Sequence, residues 1–237
     1  RAMEVTLIDH MGDDLTVVNA ARVSFAKESF AQDDKYTEVE YDSWCGSIPV
    51  LSEADKKLIN SLAKHNHWSP FGHCQLQFRI KAPVFVARQL VKHQVGLTWN
   101  EVSRRYVDIE PEFYTPEVWR GVAKDKKQGS SDIEININPD RGGGPMMVDD
   151  YQRVLRSAKW TYERLLKNGV CPEQARMVLP QSMMTEWYWS GTLYAFARVC
   201  NLRCKCDAQK ETQDIGWGID KYVRELFPIS WTALRDT

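Results

Sequence analysis

Residues 73–81 are His-Cys-Gln-Leu-Gln-Phe-Arg-Ile-Lys, and this stretch decides the fold. Apolar and polar side chains alternate along it without a break. Successive side chains of a strand point to opposite faces, so one face of this stretch is apolar and the other polar. The apolar set is Cys74, Leu76, Phe78 and Ile80, and the polar set is His73, Gln75, Gln77 and Arg79. The stretch therefore predicts a half-buried strand.

Helices are predicted on both sides of this strand. Pro83 suits the first turn of a helix that runs to about residue 93, and Gly96 is predicted to end it. On the amino side, Ser52 followed by Asp55 resembles a capping box, and apolar residues at helical spacing continue to residue 64.

The rest of the chain predicts more helices and two more strands. Residues 120–146 are polar and glycine-rich, and they are predicted to form a long surface loop. The other predicted elements are a strand at 4–9, a helix at 14–23, a long amphipathic helix from about Val148 to Gly169, a short helix from Pro172 that ends before Pro180, an aromatic strand at 182–190, and helices at 192–203 and 208–226. Because no internal repeat or linker divides the chain, the sequence predicts a single α+β domain over residues 3–237. Its mainly antiparallel sheet is flanked by helices, with a loop insertion at about 120–146.

The composition excludes several classes of protein. The 237 residues are 43% hydrophobic, which fills a core and excludes a wholly disordered chain. The 31 Lys+Arg and 32 Asp+Glu nearly cancel, whereas nucleic-acid-binding proteins usually carry a basic excess, so no nucleic-acid partner is expected. No apolar run approaches the ~20 residues that span a bilayer, and no signal peptide opens the chain, so no membrane partner is expected. The six cysteines form no secreted-type pattern and are interpreted as reduced thiols of a cytoplasmic protein, or of one in the host cytoplasm if it is viral.

A polar stripe follows the helix predicted from Pro83. Arg88 and Lys92 are four residues apart, as are Gln89 and His93, so all four lie on one helix face. Like charges at this spacing weaken a helix slightly, which favours an anionic ligand opposite them. A solvated helix face is the alternative that the spacing leaves open.

The stretch Trp99-Asn100-Glu101-Val102-Ser103-Arg104-Arg105-Tyr106 is the second candidate. If it is extended, Glu101, Ser103 and Arg105 project from one face. A guanidinium can bind a phosphate through two hydrogen bonds, a hydroxyl donates or accepts, and a carboxylate accepts from sugar hydroxyls or ring N–H groups. The stretch is therefore either a nucleotide-binding face or an ordinary polar strand face.

Two further candidates lie in the C-terminal half. Asn201-Leu202-Arg203 and Ala208-Gln209-Lys210-Glu211 flank a junction between two predicted helices. Arg176 lies in the apolar run 175–179, and an arginine among apolar neighbours is rarely unpaired. A structural ion pair and a bound ligand are both open for it.

The sequence argues against a metal site. Cys200, Cys204 and Cys206 have no second cysteine or histidine pair nearby that would complete a zinc site. His65, His67 and His73 cluster without an H-E-x-x-H motif, so a local metal site is the minority alternative. The chain also contains no G-x-G-x-x-G motif and no P-loop. No metal is expected.

Taken together, these segments resemble the flavin-dependent thymidylate synthases, and the match runs in colinear order over most of the chain. Residues 100–106 match the signature N-E-x-S-x-R-Y of that family in full. The other matching blocks are residues 18–25, 64–73, 78–89, 175–180 and 201–203, followed by Ala208, Gln209 and Glu211. Any one block is a weak signal, whereas six blocks in order are a strong one.

This sequence departs from the family pattern at several positions. The family signature begins Arg-His-Arg, whereas this chain has Lys92-His93-Gln94 and one more residue before Ser103. A lysine can replace arginine as a point charge on phosphate but loses the planar fork. The other departures are Gly72, Thr192, Arg198 and Asp207.

The resemblance implies a reductive methylation of dUMP to dTMP. Methylenetetrahydrofolate would donate the one-carbon unit, and FAD, reduced by NADPH, would supply the hydride. Arg203 and Ser103 are the implied catalytic residues, with Arg203 activating the pyrimidine as N3 ionises. The implied substrate-binding residues are Gln89, Lys92, Glu101, Val102, Ser103, Arg104, Arg105, Arg176 and Arg203. The implied FAD-binding residues are His67, Ser69, Lys92, His93, Gln94, Asn100, Glu101 and Arg198, with Trp68 beside His67 against the flavin or folate ring.

The resemblance also implies a homotetramer whose active sites are shared between subunits. Two alternatives stay open at this point. The chain could modify C5 of another uracil nucleotide such as UMP, or it could be a nucleotide-binding homologue that has lost catalysis.

Overall fold

The computed structural model describes residues 2–42, 44–124, 129–137 and 147–236. Its elements in chain order are β1 (Glu4–Met11), α1 (Asp14–Arg22), β2 (Tyr36–Tyr41), β3 (Trp44–Pro49), α2 (Glu53–Lys64), β4 (Gln75–Pro83), α3 (Val84–Leu90), β5 (Leu97–Glu101), β6 (Arg120–Val122), β7 (Ser130–Glu134), α4 (Met147–Lys167), α5 (Pro172–Ala175), β8 (Met184–Thr192), α6 (Leu193–Arg203), α7 (Lys210–Leu226) and α8 (Pro228–Leu234). None of the described helices is both long enough and apolar enough to cross a lipid bilayer.

Four strands form the central sheet in the order β1-β4-β8-β5, and every neighbouring pair is antiparallel. The alternating stretch of the sequence is β4, at the middle of this sheet. Its Phe78 lies opposite Leu7 of β1 and Trp189 of β8, and all three side chains are buried. The prediction of an α+β fold with a mainly antiparallel sheet is confirmed.

The apolar face of the sheet packs against α6 and α7. Phe196 of α6 contacts Phe78 and Trp189 edge to face, with ring centroids 5.1 and 5.3 Å apart. Trp99 of β5 stacks on Trp187 of β8 at 4.3 Å. Aromatic pairs in these geometries add roughly 0.5–1.5 kcal/mol beyond the area that they bury. The aromatic cluster therefore fixes β5 and β8 at the edge of the sheet where the candidate nucleotide residues begin.

Capping residues set the starts of two helices. The Ser52 hydroxyl accepts from the Asp55 backbone N–H at 3.2 Å, as the capping-box pattern predicts. Asp55 in turn accepts from Arg22 at 2.6 Å, and its side chain is buried. This ion pair joins α1 to α2.

The helix predicted from Pro83 to about residue 93 is shorter in the structure. Pro83 is the last residue of β4, where it lies opposite Met184, and α3 covers only Val84–Leu90. The pairing with β8 keeps Pro83 extended, so the residue caps the helix instead of entering it. Gly96, predicted as the helix end, instead makes the turn into β5 with a φ of +77°.

Four of these strands, β2, β3, β6 and β7, were not predicted. The β2–β3 hairpin buries little more than Tyr41, Ile48 and the proline that ends β3, so its alternation is too weak to detect. The short strands β6 and β7 pair within residues 120–134, which corrects the prediction of an unbroken loop at 120–146. Residues 125–128 and 138–146 of that predicted loop lie outside the described residues.

The chain continues beyond the predicted last helix into α8. Buried Asp14 accepts from the backbone N–H groups of Ile229 and Ser230, both at 2.9 Å, at the first turn of α8. Arg235, 1% exposed in its side chain, donates to Asp220 of α7 at 2.9 Å. These two carboxylates attach the C-terminal segment to the core.

Candidate active site

Arg203 lies at the last residue of α6 and points at α3. Its Nε donates to Nε2 of His93 at 2.9 Å, and its Nη2 donates to the backbone oxygen of Gln89 at 3.2 Å. Burial lowers the pKa of Arg203, but a guanidinium keeps its charge across the neutral range. The structure thus holds a half-buried cation in a fixed direction.

His93 is a neutral support for this cation. Burial, followed by the positive charges of Arg203 and Arg198, lowers the pKa of His93 to about 4. Because Nε2 accepts a hydrogen bond, the ring proton is on Nδ1.

Gln89 belongs to a hydrogen-bond chain that runs along α7 and out to β6. Its Nε2 donates to Oε1 of Gln209, and its Oε1 accepts from the Thr212 hydroxyl at 3.1 Å. Gln209 donates to Glu211 at 3.1 Å, and Glu211 accepts from Arg120 at 2.5 Å. Burial opposes the ionisation of Glu211, but the Arg120 hydrogen bond and charge outweigh it and lower the pKa of the carboxyl group.

A cavity of about 690 Å³ lies beside the ends of β5 and β8. The predicted residues that line it are Glu101, Val102, Arg104 and Arg176. The Glu101 carboxylate accepts from the Thr185 hydroxyl at 2.7 Å and from Nε1 of Trp99 at 3.1 Å. This carboxylate is therefore solvent-exposed but fixed in position.

Arg176 and Arg104 differ in their exposure and in the contacts that they make within the protein. Arg176 is exposed, and its Nε donates only weakly to the backbone oxygen of Glu173, at 3.3 Å. Within the part of the chain that the structure describes, no carboxylate pairs with it. Arg104 is 8% exposed, donates to the backbone oxygen of Ile109 at 2.5 Å, and lies over the ring of Tyr162. Arg176 is available to an anion, whereas Arg104 stabilises the wall of the cavity.

The predicted extended face of Glu101, Ser103 and Arg105 does not form. β5 ends at Glu101, and the next residues turn: the Ser103 hydroxyl accepts from the backbone N–H of Arg105 at 3.3 Å. Serine hydroxyls commonly stabilise turns in this way, and this local bond replaces the strand. Arg105 lies 3.8 Å from Glu173 and over the ring of Tyr106.

A smaller cavity of about 180 Å³ lies between the turn after α2, α6 and the C-terminal residues. The predicted residues His67, Trp68 and Arg198 line it. Trp68 is 57% exposed, and its ring centroid is 6.2 Å from that of Tyr194. Ser69 opens the short 3₁₀ turn that follows Trp68.

Lys92, Gln94 and Asn100 are exposed. Lys92 lines a shallow cavity of about 670 Å³ together with Arg88, Gln89 and Gln209. Gln181 borders both this cavity and the larger one beside Glu101, so the two are neighbours on the surface.

The predicted site residues thus lie on three surfaces of one chain: around Arg203, around Glu101 and around Trp68. Sequence reasoning missed Arg120, Thr212 and Tyr194. Arg120 contacts Glu211 across 91 positions of sequence, and no local pattern signals such a contact.

Residues 6–229 match the family model described as thymidylate synthase complementing protein. The chain is also 35% identical over 236 residues to the flavin-dependent thymidylate synthase of Thermus thermophilus, covering 98% of this chain and 75% of that one. The chain belongs to the flavin-dependent thymidylate synthase family. The predicted family, the transferase class and the FAD cofactor are confirmed at the level of this family.

Another flavin-dependent thymidylate synthase and two solved structures are also similar to this chain. The enzyme of Kosmotoga olearia is 34% identical, over 97% of this chain and 88% of its own length. Among solved structures, a UMP/dUMP methylase, PolB from Streptomyces cacaoi, was crystallised with 5-Br dUMP. It matches with a TM-score of 0.70 and 28% identity, over 98% of this chain and 94% of that one. The same methylase with 5-Br UMP matches with a TM-score of 0.72 and 25% identity, over 98% and 93%.

Proposed function

We propose that this protein converts dUMP to dTMP, with methylenetetrahydrofolate as one-carbon donor and with FAD and NADPH as the reducing system, in the cytoplasm. The observation that carries the proposal is Arg203, a cation held by neutral His93 beside Gln89. Methylation at C5 requires the pyrimidine to become electron-rich as N3 ionises. A guanidinium fixed in advance stabilises that developing charge without reorganising.

The cavity beside Glu101 supports nucleotide binding. Exposed Arg176 lines it, and exposed Arg105 lies 3.8 Å from Glu173, another lining residue. Both cations suit a phosphate, which guanidinium groups bind through paired hydrogen bonds. Glu101, already fixed by Thr185 and Trp99, keeps lone pairs for a sugar hydroxyl or a ring N–H. Ser103 would orient the uracil or the sugar, and Val102 would line the base, beside Arg104 in the wall.

The residues of the other two surfaces suit FAD. Lys92 and Arg198 offer positive charge to a pyrophosphate, and the exposed Trp68 ring offers a flat apolar surface to a fused ring. The further proposed contacts are His67, Ser69, His93, Gln94, Asn100 and Glu101. When bound and reduced by NADPH, FAD supplies the hydride that converts the transferred carbon to a methyl group.

We further propose that residues 3–237 form one domain and that the enzyme is a homotetramer with shared sites. The cavities beside Gln89 and beside Glu101 adjoin at Gln181 on the surface of one chain, and a second copy docked there would bring Gln89 and Arg203 of one subunit towards Glu101 of another. Exposed apolar side chains border these surfaces, namely Val95, Val102, Tyr106, Met177 and Leu202. Clustered exposed apolar side chains are typical of protein interfaces.

A second substrate, UMP, is favoured by two observations. The structural neighbour is by its description a UMP/dUMP methylase, and the chain has Lys92 where its family has arginine. Parallel assays with UMP and dUMP decide between the two substrates.

The direct test uses dUMP that carries tritium at C5, because methylation replaces that hydrogen. Protein supplied with FAD, NADPH and methylenetetrahydrofolate should release tritium to water in step with dTMP formation. Folded protein that retains FAD but releases no tritium from either nucleotide would show that the proposal is wrong and favour a non-catalytic nucleotide-binding protein.

A further inference from the structure

The Arg120–Glu211 ion pair has no role in the function proposed above. Arg120 belongs to β6, and its Nη2 donates to Glu211 at 2.5 Å while its Nε donates to the Ser130 hydroxyl of β7 at 2.8 Å. The Glu211 side chain is 6% exposed, and its lowered pKa keeps it ionised at neutral pH. An ionised carboxylate accepts hydrogen bonds and donates none.

This property of Glu211 fixes the direction of every amide in the chain of hydrogen bonds that follows. Gln209 must turn its NH2 group to Glu211, at 3.1 Å, and therefore turns its Oε1 to Gln89. Gln89 must then turn its own NH2 group to Gln209, which leaves its Oε1 facing the Thr212 hydroxyl at 3.1 Å. Since a hydroxyl both donates and accepts, Thr212 imposes no direction of its own.

The direction of the Gln89 amide decides whether this residue presents a hydrogen-bond donor or an acceptor to a ligand. One N–H of its amide donates to Gln209, which lines the shallow cavity, whereas its oxygen faces Thr212, which does not line it. The group that Gln89 presents to this cavity is therefore its second N–H. Gln89 and Gln209 both line the shallow cavity with Lys92. A donor at this position matches the carbonyl at C4 of uracil. A flipped amide would offer its oxygen instead, which matches the amino group of a cytosine.

We propose that Arg120 and Glu211 are positioning residues that fix Gln89 as a hydrogen-bond donor and thereby favour uracil over cytosine nucleotides. The inference rests on the proposed function, because it takes Gln89 to contact the base. It gives β6 and β7 a role at the site although neither strand lines the shallow cavity beside Gln89.

The test compares dissociation constants for dUMP and dCMP, measured by calorimetry on the FAD-loaded protein. Glu211→Gln keeps the shape of the side chain but can donate as well as accept, so it releases the amides from their fixed direction. We expect a dUMP dissociation constant about tenfold higher and a dCMP constant that is unchanged or lower, since one hydrogen bond to the base is lost or reversed. Arg120→Met should act in the same direction, and Arg120→Lys, which keeps the charge, should restore most of the preference.

Asp150→Asn is the matched control, because it makes the same carboxylate-to-amide change at an exposed pair with Arg153 on α4. It should leave both constants unchanged. If Glu211→Gln does not fold, the two Arg120 variants decide the question. Equal loss of dUMP and dCMP binding together with loss of FAD would reveal a purely structural pair and overturn the inference.

The two proposals fail differently. A wild-type protein that binds dUMP, with variants that leave the dUMP-to-dCMP ratio unchanged, overturns the inference alone. A wild-type protein that binds neither dUMP nor UMP overturns the proposed function and the inference with it.

Discussion

The Nε of Arg203 donates to the Nε2 of His93 across 2.9 Å. The bond exists only while Nε2 is unprotonated, so the direction of the guanidinium depends on a neutral imidazole. Because the pKa of His93 is about 4, this condition holds throughout the neutral range.

Removal of Arg203 should lower turnover much more than binding. We expect Arg203→Ala to reduce the single-turnover rate with saturating dUMP by about 10²–10³-fold, the loss typical of one donor that acts on developing charge. FAD absorbance should be retained. Arg176→Ala, at a proposed phosphate contact, should instead mainly raise the dissociation constant of dUMP. A near wild-type rate for Arg203→Ala would reassign the activating role.

Replacement of Ser103 should have a small effect. Its hydroxyl makes a neutral hydrogen bond within a turn, and such a bond contributes about 0.5–1.5 kcal/mol. We expect Ser103→Ala to lower kcat/KM by about two- to tenfold under steady-state assay. Abolished activity with FAD retained would mean that Ser103 takes part in the chemistry.

Protonation of His93 should destabilise the protein in acid. The folded pKa of about 4 lies below the ordinary value of 6.5, so the unfolded chain takes up this proton first as the pH falls. The contribution of His93 to stability is therefore complete above pH 6.5 and is lost progressively between pH 6.5 and 4. Urea unfolding at a series of pH values measures the free energy of unfolding. Over this window it should decline less for His93→Gln than for wild type. His65→Gln, at an exposed histidine, is the control, and an equal flattening in both variants would contradict the assignment.

Gly96 should resist substitution more strongly than Gly169. Both have positive φ, +77° and +84°, which alone makes alanine cost about 1 kcal/mol. A Cβ at Gly96 would also approach the Ala195 Cβ at 3.1 Å, whereas a Cβ at Gly169 would meet nothing within 4 Å. Urea unfolding should show a larger loss in the free energy of unfolding for Gly96→Ala than for Gly169→Ala. Because Gly96 leads into β5, calorimetry should also show weaker dUMP binding for Gly96→Ala. Equal losses of stability in the two variants would mean that α6 shifts to accommodate the added methyl group at Gly96.

Light scattering should give a mass near four times the 27.4 kDa of one chain. The physical reason is that the proposed site residues are bordered by exposed apolar side chains such as Met177, which is 76% exposed. Met177→Glu should shift the mass downward and weaken dUMP binding together. A monomeric wild type at micromolar concentration that still turns over dUMP would contradict the shared site.

The sequence predicted those parts of the fold in which one local pattern is decisive. Strict alternation located β4, and Ser52 located the start of α2. The β2–β3 hairpin escaped because burial at Tyr41 and Ile48 involves only its inner end. The prediction that Pro83 lies in the first turn of a helix was wrong. A proline is equally suited to the extended position immediately before a helix, where Pro83 lies.

In the candidate site, too, local patterns predicted some features and tertiary structure decided the others. Glu101 lies at the end of a strand, as the alternating pattern allows, but the Ser103 hydroxyl bonds to the following backbone and bends the chain away. The bond between Arg120 and Glu211 depends on tertiary structure alone. No spacing rule reaches across 91 residues, so only the folded chain could reveal it.

The hydrogen bond from Thr185 to Glu101 joins residues 84 positions apart in sequence, at one edge of the sheet. The elements β6, β7 and α4 lie between these two residues in sequence and outside the four-stranded sheet, so the chain makes an excursion that leaves this sheet and returns to the same place. Closing a flexible loop of twice the length costs only about 0.6 kcal/mol more. The irregular connections of this excursion can therefore change in length at little cost while the carboxylate of Glu101 stays in register.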